Sequence, residues 1–145
     1  HESRPPRSSL VSWARRCVYE TVTIAATGIT VKMALDAAEK LQQDGISCRV
    51  IDCFTIKPID KEILEKAARE TGGIVTCEEH NIMGGFGSAV SEVVSESYPV
   101  PIRRIGAQDM FGESARDSEI PQLLEKHGIT SINIEKTVKD IRSKL

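Results

Sequence analysis

Aromatic residues are scarce in this chain, making up 4% of its 145 positions. A core of ordinary size must therefore be built from Ile, Val, Leu and Ala. Long hydrophobic runs are missing, and none approaches the roughly 20 apolar residues that a membrane-spanning helix needs. No charge of one sign prevails: the formal net charge is −2, so no basic surface is expected to recruit nucleic acid and no polybasic stripe to hold a membrane. The early arginines Arg4, Arg7, Arg15 and Arg16 read as a solvated tail. The first residues hold no apolar stretch of the signal-peptide type. Cysteine is limited to Cys17, Cys48, Cys53 and Cys77. No two of these form a C-x-x-C pair, which argues against a zinc or redox motif. Cys48, Cys53 and Cys77 lie in or beside apolar segments and read as small core hydrophobes. A reduced, cytoplasmic setting is the expectation.

What is present suffices for one domain. Hydrophobic residues are 40% and charged residues 28%, so bulk disorder is not expected, and the length is that of a common single domain. Residues 1–12, with Pro5-Pro6 and Ser8-Ser9, read as a disordered leader; residues 13–145 read as the domain, with Trp13 against its edge. Short β-rich runs then alternate with helical patterns. Strands are expected at 22–26, 48–53, 74–77 and 101–105, and the stretch 17–20 is a candidate for one more. Helices are expected at 31–44, after Thr30 as N-cap and before Gly45; from Pro58 and Asp60 to Gly72-Gly73; at 88–98; at 120–127, ended by Gly128; and at 131–144, capped by Thr130 or Ser131. This order specifies an α/β domain with a parallel sheet and helices on both faces, since parallel neighbours require crossovers.

Three strand-to-helix segments could carry chemistry. The most distinctive is Glu78-Glu79-His80 followed by Gly84-Gly85-Phe86-Gly87-Ser88. In an open α/β sheet ligands settle beyond the C-terminal ends of the strands, and free N–H groups at a helix start can hold an anion. The string is neither a Walker loop nor a dinucleotide fingerprint, however, and no G-x-x-x-x-G-K-[ST] occurs elsewhere. A tight turn with close packing is the preferred reading, with Glu79, His80, Gly84, Gly85, Phe86, Gly87 and Ser88 as candidate interface or anion contacts. Glu78, Glu79 and His80 cannot all converge on one atom, because neighbours on a strand point to opposite sides. In the second segment, 54–60, Asp60 is placed to cap the following helix, and Lys57 reads as solvated. In the third, 109–116, Met110 and Phe111 are apolar in polar company and suit packing or an interface. No Ser–His–Asp set and no metal-ligand cluster is apparent.

Taken in order, these segments resemble the C-terminal domain of transketolases. The resemblance rests on Val22-Thr23-Ile24-Ala25-Ala26-Thr27-Gly28, on Arg49-Val50-Ile51-Asp52 with Phe54-Thr55-Ile56-Lys57-Pro58-Ile59-Asp60, on Glu78-Glu79-His80 with Gly84-Gly85-Phe86-Gly87-Ser88-Ala89-Val90, and on Asp109-Met110-Phe111-Gly112-Glu113-Ser114 with Gly128-Ile129. It implies a three-layer α/β/α domain with a mixed five-stranded sheet, one strand antiparallel, expected at Cys17–Glu20. It also implies membership of an enzyme that moves two-carbon ketol units between sugar phosphates, as in the pentose phosphate pathway, with thiamine diphosphate and Mg2+ held by other domains. The implied role of this segment is assembly with other domains or subunits, as a homodimer or a split heteromer, with no catalytic, cofactor-binding or metal-binding residue of its own. Two siblings share the domain: deoxyxylulose-phosphate synthases, whose glycine strings are similar to Asn81-Ile82-Met83-Gly84-Gly85, and the less similar beta subunits of 2-oxo acid dehydrogenases. His80 and Thr55-Ile56-Lys57-Pro58 look more like transketolase. A stand-alone phosphate or nucleotide module is the alternative from outside the family. Ser114-Ala115 departs from the Ser-Gly common at that place; because Ala115 resists a positive φ, this loop is expected to differ.

Overall fold

The computed structural model describes residues 9–11, as backbone, and residues 20–145. Trp13 and Cys17 lie outside the described residues, as do the four early arginines. Four strands, β2 (Val22–Ala26), β3 (Cys48–Asp52), β4 (Ile74–Asn81) and β5 (Ile102–Ala107), pair in parallel in the order β3-β2-β4-β5. The antiparallel strand expected at 17–20 is not among them: Cys17–Tyr19 lie outside the described residues, and Glu20 belongs to no strand. Instead a three-residue strand, β1 (Ser9–Val11), runs antiparallel to β3 at the sheet edge. It falls within the segment expected to be a disordered leader, and residues 9–11 are corrected on that point.

Helices α1 (Thr30–Gln43) and α5 (Ser131–Arg142) cover one face of the sheet, and α2 (Lys61–Glu70) and α3 (Phe86–Ser97) cover the other. A shorter helix, α4 (Ile120–Lys126), precedes α5. Strand alternation sorts the core into two layers. Val22, Ile24 and Ala26 face Ala34, Leu41, Ile134 and Val138. Ala25, Ile51 and Ile74 face Leu64, Ala67, Val90 and Val94. Helices cover both sheet faces, which is why β2 reads as a mostly apolar run and is buried at every position, Thr23 included.

The helix ends follow from local chemistry. The Asp60 carboxylate accepts from Ile63 N at 3.1 Å and caps α2, and Thr130 Oγ1 accepts from Asn133 N at 3.1 Å to cap α5. Gly45 and Gly128 take the positive φ of +77° and +72° that terminates a helix. Thr30 was expected to cap α1. It lies inside the first turn instead, buried, and its hydroxyl donates to the carbonyls of Thr27 and Cys77, bolting the helix start to β4.

Candidate functional site

Because β2 to β5 are parallel, the loops that follow them all leave from one edge of the sheet. The chain moves from β2 outward to β3, then returns across to β4 and on to β5. The topological switch point therefore lies between the ends of β2 and β4, where α/β sheets commonly bind ligands.

β4 is longer than the sequence suggested. It continues through Glu78, Glu79 and His80 to Asn81, so these residues form the projecting end of a strand rather than a loop. Alternation sends Glu78 and Glu79 to opposite faces. Glu78 is 1% exposed, and its carboxylate accepts from Phe86 N at 2.7 Å and from Gly87 N at 2.9 Å. Those two N–H groups open α3, whose N-cap, Gly85, has no side chain to offer. A charged acceptor there gains from the aligned peptide dipoles as well as from the hydrogen bonds. Glu79 lies on the other side, exposed, with Oε1 3.3 Å from the place a Cβ would take on Gly28, in the loop that opens α1. The two carboxylates thus stand at the two helix starts that flank the switch point.

The glycine string is shaped around the chain's own side chains. A Cβ on Gly85 would lie 2.9 Å from Glu78 Cδ and overlap its Oε2; one on Gly87 would lie 2.6 Å from Thr76 Oγ1 and 2.9 Å from Arg104 Cγ. Three further amides of the turn and helix start are engaged internally. Met83 N donates to Asn81 Oδ1, Gly84 N to Ser88 Oγ, and Ser88 N to Gly85 O. Arg104, on β5, donates to Ile82 O at 2.7 Å and to Ser88 Oγ at 3.1 Å. The amides of Phe86 and Gly87, the two α3 groups an incoming phosphate would need, are already taken.

The residues expected to act together therefore separate. Glu79, His80 and Gly84 are exposed, Gly85 and Ser88 are half-buried, and Phe86 and Gly87 are buried. Phe86 is the clearest correction. Expected at an interface, it is 2% exposed and packs with Leu64, Val90 and Val94 in the α2/α3 layer, because the helix begins two residues before the expected Ser88 and turns the ring inward. His80 makes only a contact between Nδ1 and Asn81 O, at 3.1 Å. Two positions escaped the sequence reading. Glu78 was weighed only as an acid/base candidate, and the glycines that fit around it were the available signal. Arg104 lies 16 residues from Ser88 and carried no signal.

Apolar side chains mark the same edge. Among the described residues, six of the ten exposed large hydrophobics are in the four loops that follow the parallel strands: Ile29, Phe54, Ile56, Met83, Met110 and Phe111. Phe111 is 99% exposed. Near it, Ala115 takes no positive φ; among the described residues only glycines do. Two thiols, half-buried Cys48 and buried Cys77, are held protonated by their surroundings. Burial, with help from Glu20, pushes the Cys48 thiol up to about 12, and burial raises that of Cys77 as well. Among the described residues no group of three His, Cys, Asp or Glu side chains could hold a metal ion. With the first amides of α3 occupied by Glu78, these residues do not fit a metal-bound diphosphate.

A family model described as the C-terminal domain of transketolase matches residues 13–134. The chain belongs to the transketolase C-terminal domain family. A transketolase C-terminal section from Methanocaldococcus jannaschii, itself named as putative, is 41% identical over 122 residues, covering 83% of this chain and 37% of that protein. A 6-deoxy-6-sulfo-D-fructose transketolase subunit from Clostridium sp. (strain MSTE9) is 42% identical over 120 residues, with 83% and 36% covered. A 1-deoxy-D-xylulose-5-phosphate synthase from Heliobacterium modesticaldum is 40% identical over 121 residues, with 83% and 18% covered. Among solved structures, a split-gene transketolase described as an inactive beta4 tetramer superposes with a TM-score of 0.85 at 42% identity, covering 97% of this chain and 44% of that one. This transketolase C-terminal domain thus spans little more than a third of the subunit-type relatives and about a fifth of the synthase.

Proposed function

We propose that this domain supports the assembly of a transketolase that transfers two-carbon ketol units between sugar phosphates, and that it contributes no catalytic residue. The observation that carries this reading is the character of the C-terminal sheet edge. Its ligand position is filled by Glu78, while exposed apolar side chains in all four loops make it a docking face. Thiamine diphosphate and Mg2+ would be held by the part of such an enzyme that corresponds to the relatives' uncovered length. The subunit name of the Clostridium relative and the tetramer of the split-gene transketolase support association with other subunits. A deoxyxylulose-phosphate synthase is the second reading, supported by the relative from Heliobacterium modesticaldum. A stand-alone phosphate module has little support, since the amides it would use are engaged.

Calorimetry tests the proposal. The chain titrated with thiamine diphosphate and magnesium should give no heat above dilution, and co-expression with the cofactor-carrying section should give a stable complex with ketol-transfer activity. Micromolar cofactor binding or turnover by the chain alone would overturn it. Turnover of pyruvate with glyceraldehyde 3-phosphate by the complex, in place of ketol transfer, would favour the synthase.

A further inference from the structure

We infer that the groove between the β3–α2 turn and α3 is an interface between two copies of this chain, which meet across it about a two-fold axis. This goes beyond the ketol-transfer reading and does not depend on it. The groove has a volume of about 340 Å³. Ile59 and Val93 form its floor, and both pack into the α2/α3 core layer. One wall is the turn with the first residue of α2, and it carries Lys57 and Lys61. The other wall is α3, where Glu92 and Glu96 stand one helical turn apart on the same face. All four charged residues are exposed. Ile56 lines the same groove and is 44% exposed. Its backbone pairing with Ile59 across the turn holds it in place.

Charge identifies the occupant. None of the four charged side chains makes an ion pair among the described residues. Asp60, which lies between the two lysines in sequence, accepts from the α2 amide of Ile63 and does not line the groove. A groove with one cationic and one anionic wall does not suit a partner of a single sign. A polyanion or an acidic peptide is drawn to the turn and repelled by α3. The groove fits a face with the same two walls in the opposite order. A second copy, turned about an axis that runs along the groove, presents that face, because an isologous contact sets one surface patch against itself. Lys57 and Lys61 of each copy then lie against Glu92 and Glu96 of the other, and the match is made twice. Ile56 of each copy enters the other's groove and leaves water. The exposed ion pairs set the orientation of the contact, and the apolar burial supplies most of its affinity.

Both core layers close within the described residues, so the chain itself is tested, and sedimentation velocity over a range of concentrations reads its dimer dissociation constant. Wild type should dimerise reversibly. Lys57→Glu with Lys61→Glu makes both walls anionic and should weaken the dimer at least about thirtyfold. Glu92→Lys with Glu96→Lys makes both walls cationic and should do the same. Mixed in equal amounts, the two double variants should pair with each other and recover the wild-type constant to within about threefold. Ile56→Ser leaves every charge in place and should weaken the dimer about tenfold. A wild-type chain that stays monomeric overturns the inference. So does a dimer that these variants leave unchanged, which would use another face, and so does a failure of the two folded charge variants to recover on mixing. If a charge reversal unfolds the chain, Ile56→Ser decides alone, and an unchanged constant there overturns the contact.

Discussion

Glu78 reaches into the space that a side chain on Gly85 would need, a space it shares with the backbone carbonyl of Asn81. A Cβ at Gly85 would sit 2.9 Å from the Glu78 carboxyl carbon and overlap Oε2. The glutamate reaches back from β4, is buried, and accepts the first two free amides of α3. In a phosphate-binding α/β domain, glycines at this place make room for a ligand. Here they make room for an internal carboxylate, and several consequences can be measured.

Glu78→Ala leaves two buried amides without an acceptor and opens a cavity. We expect a loss of about 2–4 kcal/mol in urea unfolding, the range for removing a charged acceptor from a buried position. Glu78→Gln keeps the volume but can accept only at its carbonyl oxygen, turning an NH2 toward the second N–H; it should cost about 1–3 kcal/mol. Equal stability of both variants and wild type would show that the hydrogen bonds add nothing.

Gly85→Ala probes the same contact from the other side. The methyl group cannot be accommodated unless both the Glu78 carboxylate and the Asn81 backbone carbonyl move, so the expected cost is about 1–3 kcal/mol, as for other overpacked sites. Combining Gly85→Ala with Glu78→Ala should cost somewhat less than the sum, because the clash with the carboxylate disappears while that with the Asn81 backbone carbonyl remains. Strict additivity would separate the two residues.

The cysteines give a pH dependence with a definite sign. Cys48 has its thiol raised from 9.0 to about 12 by burial and by the Glu20 carboxylate. Burial also raises Cys77, whose neighbour Glu78 adds to the effect. An acid whose folded pKa exceeds its unfolded value favours the fold while it stays protonated. Its contribution is intact below about pH 9 and is lost as pH rises toward 12, because the unfolded chain releases its proton first. Unfolding free energy should therefore decline between pH 9 and 12, and less so in Cys48→Ala. Iodoacetamide should label Cys77 at pH 8 only after denaturation.

Arg49 ties three segments together. Its guanidinium contacts Glu20 at 2.5 Å, just before β2, and Glu70 at 2.6 Å, at the end of α2. The arginine side chain is 11% exposed, but Glu70 is 44% exposed, so solvent weakens the second contact. Arg49→Met keeps the stem packed and should destabilise by about 1–2 kcal/mol. Hydrogen exchange should then rise at Thr21, whose N–H donates to Ser47 O at the same end of the sheet.

Much of the fold was legible because the local signals agreed. β2 is a mostly apolar run of strand length and β3 is centred on Val50-Ile51, Gly45 and Gly128 mark helix ends, and Asp60 and Thr130 are capping residues at the right distance from their amides. The site was less legible. Glu78, Glu79 and His80 read as a loop, since a strand of charged residues is favoured only when tertiary partners wait for it. Glu78 finds those partners on α3, and β5 carries the pairing on to Asn81 with a shift of register. Phe86 was misplaced for the same reason: nothing nearby announced that a carboxylate from β4 would start the helix two residues early. The strand Ser9–Val11 was hidden by the prolines and serines around it, and its partner Val50–Asp52 lies some forty residues away.

The contact between Glu78 and α3 closes a loop of eight residues. Each parallel strand pair, by contrast, must wait for an intervening crossover, as Val22 with Cys48 or Ile74 with Ile102. Short loops cost the least chain entropy to close. The β4–α3 hook is therefore among the contacts this chain can make most readily on its way to the native state. A chain that forms it early has already fixed which side of β4 will face α3, before any neighbouring strand has arrived.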